Sequence, residues 1–170
     1  MDDSKQDASS VGKAITSTPD TSISETRQRL GMMGEQAVRQ AIASENMIRR
    51  EFVSDYGKPD FLVCEQVYID SKVYTKNITI SSYAYRRYTV EYTPTVVVFH
   101  HYKNGELIKG MWCEAKKLIL KEPRDDYVEH YNMKWWQLAP GRTPFAYISD
   151  ASPFCDFTNR SLHEIVNIRK

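Results

Sequence analysis

An α/β fold, with a mixed central β-sheet flanked by α-helices, is what this sequence predicts. Three observations predict it. A stretch near the N-terminus carries Leu30, Met33, Ala37 and Ala41 at helical spacing, with Val38 and Ile42 beside them. Short apolar runs rich in Val, Ile, Tyr and Phe follow, each bounded by turn residues. Helical spacing then returns at Tyr127, Tyr131 and Trp135 and again at the C-terminus.

The elements follow in order. Residues 1 to about 22 are rich in Ser, Thr and Asp with almost no large apolar side chain, which predicts a disordered tail ahead of one domain over residues 23–170. Ser22 or Ser24 is the expected cap of the first helix, with Glu25 in its first turn and an end near Asn46. Gly31 and Gly34 inside that helix cost about 1 kcal/mol each relative to Ala, so they point to close approach of another backbone. Strands are expected over residues 48–53, 60–64 and 66–74, with a turn at 54–57. Residues 77–92 fit either a helix or an exposed strand. Residues 95–102 form a strand pattern around Val96-Val97-Val98-Phe99. Asn104-Gly105 is a two-residue hairpin signal, so residues 106–118 should return antiparallel. Residues 124–138 read as a helix, 145–148 as a last strand and 161–168 as a terminal helix.

Composition narrows the class. The chain of 170 residues is long enough for one compact domain, and at 41% hydrophobic it can bury a core. No run approaches the roughly 18 apolar residues of a membrane span, and the N-terminus does not resemble a secretory signal. Cys64, Cys113 and Cys155 are odd in number and widely spaced, which points to a reducing intracellular compartment, cytoplasmic or nucleoid-associated. The formal net charge is +1; residues 1–26 carry −3 and the remainder +4. A mildly basic domain permits phosphate contacts without demanding them.

Chemistry concentrates at Glu35, Asp60, Asp70 and Lys72. Alternate side chains on a strand share a face, so Asp70 and Lys72 point one way while Ile69 and Ser71 point the other. Asp60 opens the neighbouring run. Two carboxylates so placed resist ionising together unless a cation relieves them. Mg²⁺, held by one or two carboxylates and substrate phosphate, is the usual solution. Glu35 lies on a stripe with Gly31, Val38 and Ile42, at the margin of the apolar face.

Gly31-x-x-Gly34-Glu35-x-x-Val38, then Pro59-Asp60, then Asp70-x-Lys72 resembles the PD-(D/E)xK nuclease superfamily. The order of helix Glu, strand Asp and strand Asp-x-Lys is similar to archaeal Holliday-junction resolvases and restriction-type endonucleases. The likeness covers residues 27–75 through motifs and extends to about 120 through strand order. The third motif here carries Asp rather than the commoner Glu. The resemblance implies a restriction-endonuclease-like fold and a Mg²⁺-dependent DNA endonuclease, with Mn²⁺ as a substitute and no organic cofactor. It implies Asp60 as the main metal ligand, Asp70 as the second, the Ser71 carbonyl as a third, and Glu35 completing the shell directly or through water. Lys72 would orient and help deprotonate the attacking water. A homodimer follows by the same analogy. Resolvase, restriction and homing roles are not separated, and RNA stays open as a substrate.

Alternatives stand beside this. Glu35 could pair with Arg39 at i+4 on a solvated face, and Asp70 with Lys72 could be a plain ion pair. Glu114-Ala115-Lys116 is a second acid-x-lysine and could replace Asp70-Lys72. Arg86 and Arg87, with Tyr83 and Tyr88, are candidate DNA contacts, as are Lys116 and Lys117. His100-His101 cannot easily share one ion, since neighbours on a strand face opposite ways. A non-catalytic module with a nuclease-like fold, binding protein or DNA, is the other reading of the whole.

Overall fold

The computed structural model describes residues 18–53, 57–121 and 145–168. The expected helix over 124–138, with His130 and Trp135-Trp136, lies outside the described residues, as does most of the 54–57 turn. The chain divides into two compact units, Met1–Met33 and Gly34–Lys170. The first contributes the N-terminal part of helix α1, Thr18–Ser44. That helix already runs through Ser22 and Ser24, so neither is its cap. Thr18-Pro19 supplies an earlier start, because proline's fixed φ suits the first turn.

The second unit is mixed α/β, with a mostly antiparallel six-stranded sheet flanked by helices. The strands are β1 (Arg49–Glu51), β2 (Phe61–Val63), β3 (Val67–Tyr74), β4 (Thr79–Ser81), β5 (Thr95–Lys103), β6 (Glu106–Glu114), β7 (Phe145–Tyr147) and β8 (Cys155–Asp156). The main sheet runs β1-β2-β3-β5-β6-β8, and β4 pairs separately with β7. Among the described residues only β3 and β5 pair in parallel. A parallel pair needs a crossover. Residues 77–92 supply it: β4, then helix α2 (Ser82–Arg86), then a π-helical turn, Arg87–Glu91. The ambiguity of that stretch resolves as both strand and helix in succession. The Ser81 hydroxyl accepts from the Ala84 amide and so caps α2.

Asn104 and Gly105 sit at φ 53 and 88, the left-handed pair that a two-residue hairpin requires, and Lys103 pairs with Glu106 across it. Ile108 is then a one-residue bulge, since Tyr102 opposes Leu107 while His101 opposes Lys109. β6 stops at Glu114, short of the expected end, and Ala115–Lys117 is a 3₁₀ turn. The short edge strand β8 carries no sequence signal beyond Cys155 itself.

Period-two alternation splits the core between the two sheet faces. On one face Phe61, Val63, Val67, Ile69, Val96 and Val98 pack with Val38, Ala41 and Ile42 of α1 and with Leu162 and Ile165 of α3 (Ser161–Ile165). On the other, Val97, Phe99 and Cys113 pack with Ile80, Ala84 and Tyr88 of the crossover. Val38 and Ile42 are completely buried, worth about 1.5–3 kcal/mol each, and this anchors the Gly34–Ser44 portion of α1 on the sheet. Gly34 permits the approach. A Cβ there would lie 2.7 Å from both Ser71 Oγ and Val73 Cγ2. Gly31 shows no such contact among the described residues. No helix among the described residues is long and apolar enough to cross a membrane.

Candidate functional site

Strand register brings the acidic residues together. Phe61 pairs with Ile69, and one further step along the antiparallel ladder sets Asp60 opposite Asp70. Directly opposed residues share a face, so both carboxylates lie on the side away from α1. The Asp60 amide donates to the Ile69 carbonyl at 3.1 Å, and the Ser71 amide donates to Asp60 Oδ2 at 2.8 Å. Backbone thus fixes both the position and the rotamer of Asp60. Asp70 is 4% exposed. Its Oδ2 lies 3.0 Å from Lys72 Nζ as an ion pair and has no hydrogen-bond partner among the described residues. Lys72 Nζ also sits 5.6 Å over the buried Tyr88 ring.

The electrostatics follow from this crowding. Burial, then the Asp70 charge, push the Asp60 carboxyl up to about 8; the Ser71 amide and Lys72 pull against them. Glu35, half-buried on α1, is also raised, first by burial and then by Asp70 and Glu51, against the pull of Arg39. Asp60 therefore feels the charges of Asp70, Glu35 and Lys72, and Glu35 feels that of Asp70. Arg39 does not hydrogen-bond Glu35. Its Nε and Nη2 grip Glu51 at 2.9 and 2.8 Å, and Arg49 Nε adds a third bond at 2.8 Å. Those bonds hold Glu51 down to about 2.

The other candidates separate. Glu114 opposes Val96, two strands from β3 and on the α1 face, so it is across the sheet from Asp70. Lys116 leaves the strand in the 3₁₀ turn and is exposed, and Lys117 Nζ stands 4.0 Å from Glu114. The second acid-x-lysine is not assembled with Asp60, because the strand ends before its lysine. Arg87 is only 12% exposed at its side chain; it pairs with Glu91, donates to Tyr92 Oη at 2.8 Å and packs over the Tyr83 and Tyr92 rings. Arg87 and Tyr88 are thus internal parts of the crossover. Arg86 stays half-exposed beside Tyr83. His100 and His101 do face opposite ways: His100 is buried against Phe157, while His101 stacks on Tyr74. Tyr88 beneath Lys72 and the Ser71 amide are the parts of the site that motif spacing does not announce.

Mg²⁺ takes oxygen ligands, keeps several waters and needs only one or two carboxylates beside phosphate. Asp60 and Asp70 fit that demand. The buried Asp70 Oδ2 already faces the Lys72 ammonium at 3.0 Å, and a divalent cation would join or displace that partner. No group of three His, Cys, Asp or Glu side chains that could hold a metal occurs among the described residues.

No protein-family model matches this chain, and no curated protein matches it significantly.

Proposed function

We propose that this protein is a Mg²⁺-dependent DNA endonuclease of restriction-endonuclease-like fold, with Asp60, Asp70 and Lys72 at its centre. The observation that carries the reading is the cross-strand pair of Asp60 and Asp70 with Lys72 at Asp70 Oδ2. Two carboxylates and an amine on one sheet face support hydrolysis of a phosphodiester far better than they support stability. A buried charge cluster of this kind costs more than an apolar replacement would. The element order supports the fold assignment: α1, the β1-β2-β3 meander, a helical crossover, then β5 parallel to β3.

Each residue has a part. Asp60 and Asp70 would hold Mg²⁺, with the Ser71 carbonyl beside them. The bound cation supplies a lowered pKa for water and neutralises charge on the phosphate oxygens. The Ser71 amide keeps Asp60 aimed. Lys72 orients the attacking water by hydrogen bonding and opposes the negative charge that builds on phosphate. Glu35 acts through water, holding a proton or orienting a solvent molecule at the margin of the pair. A single site cuts one strand, so double-strand cleavage would use a homodimer.

The test is direct. Branched and linear DNA are incubated with the protein in Mg²⁺, Mn²⁺ or EDTA, beside Asp70→Ala and Lys72→Ala. Cleavage that needs the cation and falls at least about 100-fold in both variants is the expected result. DNA left intact under every condition refutes catalysis and leaves a non-catalytic binding module.

A further inference from the structure

We propose that the groove adjoining the acidic pair is a stacking subsite for one unpaired nucleotide of single-stranded DNA. This deepens the nuclease reading and rests on it for the identity of the polymer. A cavity of about 480 Å³ is lined by Phe52, Lys58, Leu62, Tyr68 and Tyr92, with Arg50 and Glu65 at its rim. Strand alternation ties it to the site. Tyr68 lies two residues before Asp70 on β3, and Leu62 two after Asp60, so all four share one sheet face. The offset is about 7 Å along the strand, the scale on which one nucleotide follows the next.

The lining selects the ligand. Phe52 and Tyr68 have ring centroids 6.2 Å apart, and Tyr92 meets Tyr68 edge-on at 5.2 Å. Lys58 lies over the Phe52 ring and Arg87 over the Tyr92 ring, so Tyr68 is the ring a base would stack on, and bases stack on such side chains whatever their sequence. A quaternary or methylated ammonium is the other common guest of an aromatic cage. Here it is opposed, because Lys58 Nζ already sits 4.5 Å over the Phe52 ring. Lys58 suits instead the phosphate that a nucleotide brings with its base. Arg50 is neutralised by its ion pair with Glu65, leaving Lys58 as the groove's uncompensated charge among its described cations. Duplex DNA keeps its base faces stacked on each other and cannot use these rings.

Fluorescence anisotropy with the full chain in EDTA tests this apart from catalysis. The probes are a short labelled single strand, the same sequence as blunt duplex, and the RNA equivalent. The single DNA strand should bind tightest. Tyr68→Ala and Tyr92→Ala should each weaken it about fivefold or more without moving duplex affinity, and Tyr68→Phe should restore it. Lys58→Ala should reduce the salt slope by about 0.7. Equal affinity for duplex, tighter binding of RNA, or an unchanged salt slope with unchanged tyrosine variants overturns the proposal. Cleavage is read separately. A groove that binds without cleavage removes the nuclease, and cleavage without groove binding removes only the subsite.

Discussion

Asp60 shows how a residue's surroundings set its chemistry. Its carboxyl is hydrogen-bonded by one amide, yet burial and Asp70 outweigh that bond and push it up to about 8. Linkage gives the sign. A carboxyl raised from 3.8 to about 8 on folding makes the native state bind more protons between those values, so its contribution to stability is complete below pH 4 and is lost as pH rises through 8. In EDTA, thermal melts should therefore show stability declining from pH 5 to 8.5. Asp60→Asn should flatten that decline, and saturating Mn²⁺ should reverse it in the wild type by favouring the ionised form. A wild-type profile in EDTA no steeper than that of Asp60→Asn would place the carboxyl outside this environment. The two motif aspartates were legible as residues, since Pro59-Asp60 and Asp70-x-Lys72 stand out locally. The amide of Ser71 and the ring of Tyr88 were not, because hydrogen bonds and tertiary packing leave no mark on spacing.

At the level of elements, the fit of α1 against β3 depends on a missing side chain. Gly34→Ala would put a Cβ 2.7 Å from Ser71 Oγ and Val73 Cγ2, and Val73 is held in the strand. Overpacking of this kind costs about 1–3 kcal/mol, to be measured by urea unfolding. Because Ser71 lies between Asp70 and Lys72, activity should fall with it; a neutral substitution would show that the helix has room to shift. The sequence made the strongest elements plain. The apolar run of β5 and the Asn104-Gly105 turn each have one local solution. The crossover over residues 77–92 was ambiguous because a three-residue strand, one helical turn and a π turn succeed one another too quickly for any period to emerge. β6 ended early for a related reason. Lys116 and Lys117 continue an acceptable strand composition, but Ala115 turns into the second core and breaks the alternation.

For the molecule as a whole, topology assembles what the chain separates. Asp60 and Asp70 come from consecutive antiparallel strands, where register alone makes them neighbours. Glu35 reaches their field from a helix docked on the opposite face. The mixed α/β class and the helix-flanked sheet were readable from periodicity, while the sorting of Glu114 to the α1 face required the actual pairing of β5 with β6. The central claim is that Asp60 and Asp70 jointly hold one divalent cation. Electron paramagnetic resonance of Mn²⁺, titrated into protein with a short DNA strand present, tests it most directly. One bound Mn²⁺ per chain in the wild type, lost in both Asp60→Asn and Asp70→Asn, is the result predicted here; equal Mn²⁺ uptake by all three proteins would contradict it.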